Sequence, residues 1–221
     1  MRVCMLLDDT YPPDIRVRKE AMSLAADDHD VTLLCQRGDE PAARERVDDL
    51  DVVRIRVYDR YGKLRSPANA PEYVARFVNR PWARAIADHY EEEPFDVLHV
   101  HDLPLVRTAL DWRGDRDVAV VADLHENWPE AVRQYRRMNS IRDLPDVGAL
   151  IDRVVEPVWR LKRLERFCVR GADRTIAVVP EGKAHYVRSC GALSGDVAVV
   201  PGGLRWAASS ARPASWASAK T

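Results

Sequence analysis

The chain is short of several things, and each shortage closes off a class of protein. No stretch of its 221 residues approaches the roughly 20 consecutive apolar positions that a membrane-crossing helix needs. Its four cysteines, Cys4, Cys35, Cys168 and Cys190, are scattered, with no Cys-x-x-Cys pair. Neither a structural zinc site nor a dithiol redox motif is therefore indicated. Cys4 and Cys35 sit inside apolar runs, where a thiol packs as a small hydrophobe. The formal net charge is only −1, so the charge balance gives no reason to expect a nucleic-acid partner. Lysine is scarce, and the basic residues are mostly arginine. No internal repeat is visible. From Gly202 to Thr221 there is no Asp or Glu at all, in a chain otherwise rich in both. That Ala/Ser-rich end reads either as an irregular or disordered tail or as the product of a shifted reading frame.

What is present is ordinary for a globular domain: 46% hydrophobic and 31% charged residues. Short apolar runs alternate with helix-sized amphipathic segments about seven times. Strands are predicted at 2–7, 31–35, 51–57, 96–100, 118–122, 174–179 and 197–200. The run at 51–57 alternates Val53, Ile55 and Val57 with Arg54 and Arg56, which predicts a strand with one solvated face near a sheet edge. Helices are predicted at 16–26, 72–90 with a bend at Pro81, 104–112, 147–170 with an interruption at Pro157, and 180–189. In the first, Val17, Ala21, Leu24 and Ala25 form the apolar stripe, leaving Arg18, Lys19 and Glu20 mostly solvated. Residues 58–70 read as a loop, and 127–146 as a basic irregular segment containing Arg133, Tyr135, Arg136, Arg137 and Arg142. Met1–Leu7 is too short for a signal peptide and reads as a first strand.

Strand–helix alternation of this kind defines an α/β fold: a Rossmann-like, doubly wound, mostly parallel sheet of about seven strands with helices on both faces. Right-handed crossovers bring all parallel strand C-termini to one edge, and ligands bind outside that edge. Two runs end there in polar clusters. Val97-Leu98-His99-Val100 leads to His101 and Asp102, and Val118–Ala122 leads to Asp123, His125 and Glu126. His99 shares the parity of His101 but lies one pleat deeper, as a buried structural histidine. Taken by themselves, His99, His101, Asp123 and His125 also have the composition of a metal-dependent hydrolase site. A non-catalytic Rossmann-like binding module is a third reading.

Six stretches, taken in order, resemble the N-terminal, acceptor-side domain of glycosyltransferase family 4, whose members have the GT-B fold. They are Asp14 to Leu24, Asp28 to Leu34, Phe95 to Pro104 (similar to the family's D-v-v-H-a-H-d strand), Asp123 to Glu126 (its D-x-H-E element), Glu165 to Ala177, and Val199 to Pro201. The resemblance covers residues 1–201, with 202–221 left as the tail. Where the family usually has a Gly-rich loop after strand one, this chain has Tyr11-Pro12-Pro13-Asp14.

The resemblance implies a retaining transfer of a hexosyl group from a nucleotide-diphosphate sugar to an acceptor hydroxyl. It implies no metal and no cofactor beyond the sugar donor. It makes His101 the catalytic candidate, beside the donor sugar, and makes Asp14, Arg16, Asp102, Asp123, His125 and Glu126 substrate-binding candidates. The family's second, donor-binding domain has no counterpart in the sequence. The chain is accordingly expected to be the acceptor-side half, truncated and inactive alone, meeting a nucleotide sugar only with a second domain. The expected partner is a sugar or lipid-linked acceptor. The expected location is the cytoplasm, at the inner face of the membrane if the Arg133–Arg142 segment makes a peripheral contact.

Overall fold

The computed structural model describes residues 1–12, 14–38, 42–47, 50–57, 70–139 and 156–201. Its chain order is β1 (Arg2–Thr10), α1 (Ile15–Ala26), β2 (Asp30–Gln36), β3 (Arg44–Val47), β4 (Leu50–Ile55), α2 (Ala70–Arg76), α3 (Arg80–Glu92), β5 (Val97–His101), α4 (Leu103–Arg113), β6 (Ala119–Leu124), α5 (Trp128–Asn139), α6 (Val158–Gly171), β7 (Arg174–Ala177), α7 (Pro180–His185) and β8 (Val197–Val199). The eight strands form one sheet in the order β3-β4-β2-β1-β5-β6-β7-β8. The pairings from β4 to β8 are parallel, and β3 joins the edge antiparallel to β4. Strand order reverses between β1 and β5, which opens a crevice at their C-terminal ends.

The two faces of the sheet are packed separately. On one, alternate residues Val3, Met5 and Leu7 of β1 and Val31, Leu33 and Cys35 of β2 meet Val17 and Ala21 of α1. On the other, Leu98, Val100, Val120 and Ala122 pack under Trp82 and Ile86 of α3, Leu105 and Ala109 of α4, and Leu161 and Leu164 of α6. Trp82 is fully buried, and its indole nitrogen donates to Asp8 at 3.0 Å. Gln36 holds the same carboxylate at 2.8 Å. Asp8, at the C-terminal end of β1, is thus anchored structurally.

Four local expectations change. The predicted strand at 51–57 does lie near the sheet edge, as its neighbour β3 forms the edge itself, but it is not solvated at Arg54. Leu50, Val52 and Arg54 are buried, while Asp51 and Arg56 face out. The reason is β3: Glu45 lies opposite Val52 and pairs with Arg54 at 2.6 Å, and Arg54 also donates to the Tyr11 carbonyl at 3.0 Å. A four-residue strand written Arg-Glu-Arg-Val has no apolar alternation to announce it. The single bent helix at 72–90 is two helices, parted at Phe77–Asn79. Phe77 has a left-handed φ of 58°, and the Asn79 side chain caps α3 at Trp82. The basic segment 127–146 is helical through Asn139. Asn127 accepts from the Glu130 backbone, and Trp128 and Val132 pack on the core. Its remainder, with Arg142, lies outside the described residues. So do the 58–69 loop, the first part of the helix expected at 147–170, and the 202–221 tail. Finally, Phe167, an apolar residue within the helix expected at 147–170, is 47% exposed rather than packed inward.

A polar pocket beneath α1

On the α1 face, the odd positions of β5 and β6 change character along their length. Val97 and Val121 belong to the apolar packing, and then come His99, His101 and Asp123. His101 and Asp123 are register partners on adjacent strands, as are His99 and Val121. Parallel pairing at period two therefore stacks the polar residues at the C-terminal end of one face, where α1 covers them.

Asp123 is completely buried. Its Oδ2 lies 3.0 Å from His101 Nδ1, 2.9 Å from His125 Nε2 and 3.5 Å from His99 Nε2. Glu20, on α1, reaches in from above, with Oε2 3.6 Å from His99 Nε2 and 3.9 Å from His101 Nδ1. The His99 and His101 rings are 4.7 Å apart, and the His101 and His125 rings stack at 6.0 Å. The contacts are close but off-axis. Neither ring nitrogen of His101 and neither oxygen of Asp123 has a well-directed hydrogen bond among the described residues. Short charge contacts thus hold the cluster together without saturating its hydrogen-bonding capacity.

Burial and charge divide the protonation states. Burial raises the Asp123 carboxyl, but contacts from His101, His125 and His99 outweigh it and hold it well below the usual carboxylate range. Burial drives Glu20 up to about 9, and the Asp123 charge adds to that, so Glu20 is a neutral acid at pH 7. Burial lowers His101 to about 4 despite Asp123, so it is a neutral imidazole. Burial also opposes charge on His125, but there the Asp123 contact prevails and the net shift is upward. One carboxylate thus holds one neutral and one readily protonated histidine.

The other expected residues fall around this hub. Asp102 sits at the β5–α4 corner with φ 63°, and its backbone N–H donates to the Asp123 carbonyl at 2.9 Å. Burial raises its carboxyl. Asp14 caps α1 through the Arg16 and Val17 N–H groups and pairs with the Arg16 side chain at 3.0 Å. Arg16 is half-exposed and within electrostatic reach of Asp102 and Asp123. It is a cation over the crevice rather than a member of the cluster. Glu126 points to solvent and lines a separate small cavity of about 320 Å³ with His125, Asn127, Glu181, His185 and Tyr186. The expected cluster therefore contracts to His101, Asp123 and His125. It also gains Glu20, read from the sequence as solvated, and it engages His99. Glu20 could have been found: it lies three residues after Val17 and four before Leu24, on the buried stripe of α1.

Could this cluster hold a metal ion? His99, His101, Asp123 and Glu20 each offer one atom, and these lie within 4.8 Å of one another. The donor set suits zinc. Against it, the Asp123 oxygen faces three ring nitrogens at once, the arrangement of shared protons rather than of ligands spread around a centre.

A Rossmann-like half-domain with its polar cluster at the strand C-termini, beside the topological switch point, is the architecture of glycosyltransferases of the GT-B type. The chain belongs to the glycosyl transferase 4-like domain family, whose sequence model matches residues 13–203. Among solved structures it resembles sucrose-phosphate synthase from Thermosynechococcus elongatus, with TM-score 0.62 and 13% identity over 91% of this chain and 48% of that one. A second structure of that synthase gives TM-score 0.60 and 13% identity, covering 93% of this chain and 91% of that one. HepE from Anabaena in complex with UDP-glucose matches at TM-score 0.51 and 10% identity, over 92% of this chain and 44% of that one. The catalytic domain of starch synthase IV from Arabidopsis thaliana, bound to ADP and acarbose, matches at 0.53 and 11%, over 92% and 52%. This chain thus spans about half the length of most of these structures. At such identities the likeness is one of fold. No curated protein matches the sequence.

Proposed function

We propose that this domain forms the acceptor side of a hexosyltransferase that uses a nucleotide-diphosphate sugar. The observation that carries the reading is the Asp123 carboxylate holding His101 and His125 at the C-terminal edge of β5 and β6. A neutral, buried imidazole can donate to or accept from a sugar hydroxyl without bringing a charge of its own. His101 takes that role against the donor sugar. Asp123 sets its orientation, and His125 is the group that carries a proton. Asp102 and Glu126 bind acceptor hydroxyls at the rim. Arg16 offers its charge to the departing diphosphate, helped by its place on the first turn of α1, where the helix end is positive.

Departure of a nucleoside diphosphate needs more cationic stabilisation than one arginine, since electrostatics carry most of such a barrier. Transfer therefore requires a second, donor-holding domain, and this chain alone binds acceptor without turnover. The resemblance favours retention of anomeric configuration, a cytoplasmic setting where nucleotide sugars are available, and no metal.

The test is a titration of the ¹⁵N-labelled chain with glycoside acceptors and with UDP- and ADP-hexoses. The Asp102 and Glu126 backbone amide signals should move with acceptor, and the His101 ring signals should move with the donor, weakly while no donor-holding domain is supplied. No movement at Asp102 or Glu126 on adding acceptor would overturn the reading. The one competitor with an observation behind it is the metal-dependent hydrolase, because of the four converging donor atoms. Stoichiometric zinc or manganese in purified protein, lost in His99→Ala, would favour it.

A further inference from the structure

Helix α6 divides sharply around its axis. Leu161, Leu164, Cys168 and Val169 are buried, together with Glu165, which turns inward to meet His185 at 3.0 Å and the Cys190 thiol at 3.4 Å. The outward side carries Trp159, Arg163, Arg166, Phe167 and Arg170, all exposed. They recur at helical spacing as a single stripe. This stripe lines an open groove of about 800 Å³, to which the end of α2 contributes Arg76 and Phe77 and α4 contributes Arg107. Arg160 stands at its rim over the Phe77 ring, 4.6 Å away.

Six guanidinium groups line this groove, and among the described residues few carboxylates answer them. Asp111 pairs with Arg76 at 2.6 Å and with Arg107 at 3.6 Å, and Glu72 is 3.7 Å from Arg76. Arg166 and Arg170 instead donate to the backbone carbonyls of Ser189 and Cys190. A carbonyl fixes where an arginine sits but does not neutralise it. The chain as a whole has a net charge of −1, so this positive face is set against a net negative remainder. Such an asymmetry orients a molecule on a negative surface. Among the cations stand two large rings left in water: Trp159, 61% exposed, and Phe167, 47% exposed with Arg107 stacked 4.0 Å above it. Aromatic rings flanked by arginines along a helix lying at the surface match the chemistry of a bilayer interface, where headgroup phosphates meet the first acyl carbons.

We propose that the outward face of α6 docks through Arg163, Arg166 and Arg170 on the anionic headgroups of a lipid bilayer and seats Trp159 and Phe167 at the headgroup boundary. This surface is distinct from the Arg133–Arg142 segment, where Arg133 pairs with Glu130 at 3.2 Å, Arg136 donates to the Glu156 carbonyl, and Arg142 lies outside the described residues. The surface is independent of the transfer reaction proposed above, so either idea can fail without the other.

Co-sedimentation with vesicles tests it directly, comparing phosphatidylcholine alone with an equal mixture of phosphatidylcholine and phosphatidylglycerol. The intact chain should bind only the mixture, and added salt should release it. Arg163→Glu/Arg166→Glu should weaken partitioning by about tenfold or more. Lys162→Glu makes the same kind of charge change on the same helix but outside the groove, and should cost much less. Trp159→Ala should weaken binding while leaving its salt dependence intact. Melting curves establish that each variant is folded; should the double variant unfold, Arg163→Gln takes its place. Equal binding to neutral vesicles, no binding to either, or full binding by the folded groove variant would overturn the proposal. Retention on a DNA or heparin column without vesicle binding would overturn it as well.

Discussion

The carboxylate of Asp123 and the imidazole of His101 face each other across adjacent parallel strands, in register, 3.0 Å apart and both without solvent contact. Everything near them is adjusted to that pair. His125 and His99 converge on the same oxygen, and Glu20 closes the cluster from α1. Removing the Asp123 charge should therefore be felt by all of them. In Asp123→Asn the His125 pKa should fall, because its raised value depends on that carboxylate. Stability should drop by roughly 3–5 kcal/mol, as for other buried charge pairs that lose one partner. A ring titration by NMR and a urea melt measure both; an unmoved His125 would remove Asp123 from its central position.

Glu20 makes a prediction of opposite sign to most acidic residues. Its folded pKa of about 9 lies above its unfolded value. Between these, the folded chain holds a proton that the unfolded chain has released. The stabilising contribution is complete below the unfolded pKa and is lost as pH rises toward 9. Glu20→Gln, which cannot ionise, should therefore gain on the parent as pH rises from 5 to 9, by on the order of 1 kcal/mol or more. Parallel stability curves for the two proteins would mean that Glu20 is charged at neutral pH.

His101 behaves oppositely. Its folded pKa of about 4 is below its unfolded value, so the stability it contributes is present above that unfolded value and is lost as pH falls toward 4. His101→Asn should flatten the acid limb of the stability profile. In a complete enzyme it should lower turnover by about 10²-fold or more, as loss of a positioned proton donor or acceptor does.

Trp82 tests the scaffold rather than the site. Trp82→Phe keeps most of the packing but withdraws the donor from Asp8 and should cost about 1–3 kcal/mol. Trp82→Ala, which empties a fully buried position, should cost about 3–5 kcal/mol. Thermal melts of both variants separate the hydrogen bond from the volume.

Gly191 ends the turn Tyr186–Cys190 at φ 78°, and an added Cβ there would lie 2.6 Å from Arg170 Nη2. Gly191→Ala should destabilise the chain by about 1–2 kcal/mol, through the left-handed backbone and the displaced arginine together. An unchanged melting temperature would show that Arg170 moves aside freely and that the turn adapts.

The amino-acid sequence by itself determined the sheet and its order of elements. Period-two apolar runs between amphipathic segments carry that information locally, and seven of the eight strands were legible in this way. It also marked His101 and Asp123, because each ends an apolar run where a parallel sheet presents its ligand edge. Tertiary structure alone decided what those residues touch. Parallel register set His101 beside Asp123, and the packing of α1 on the sheet turned Glu20 toward His99 and His101. Burial then made Glu20 an acid and His101 a neutral base. Strand β3 and the buried Arg54 were illegible for the same reason: an ion pair between strands leaves β3 without an apolar period and buries a charge where the alternation of β4 predicts solvent. Protonation and long-range pairing depend on which groups share a low-dielectric space, and that is settled only when the chain closes on itself.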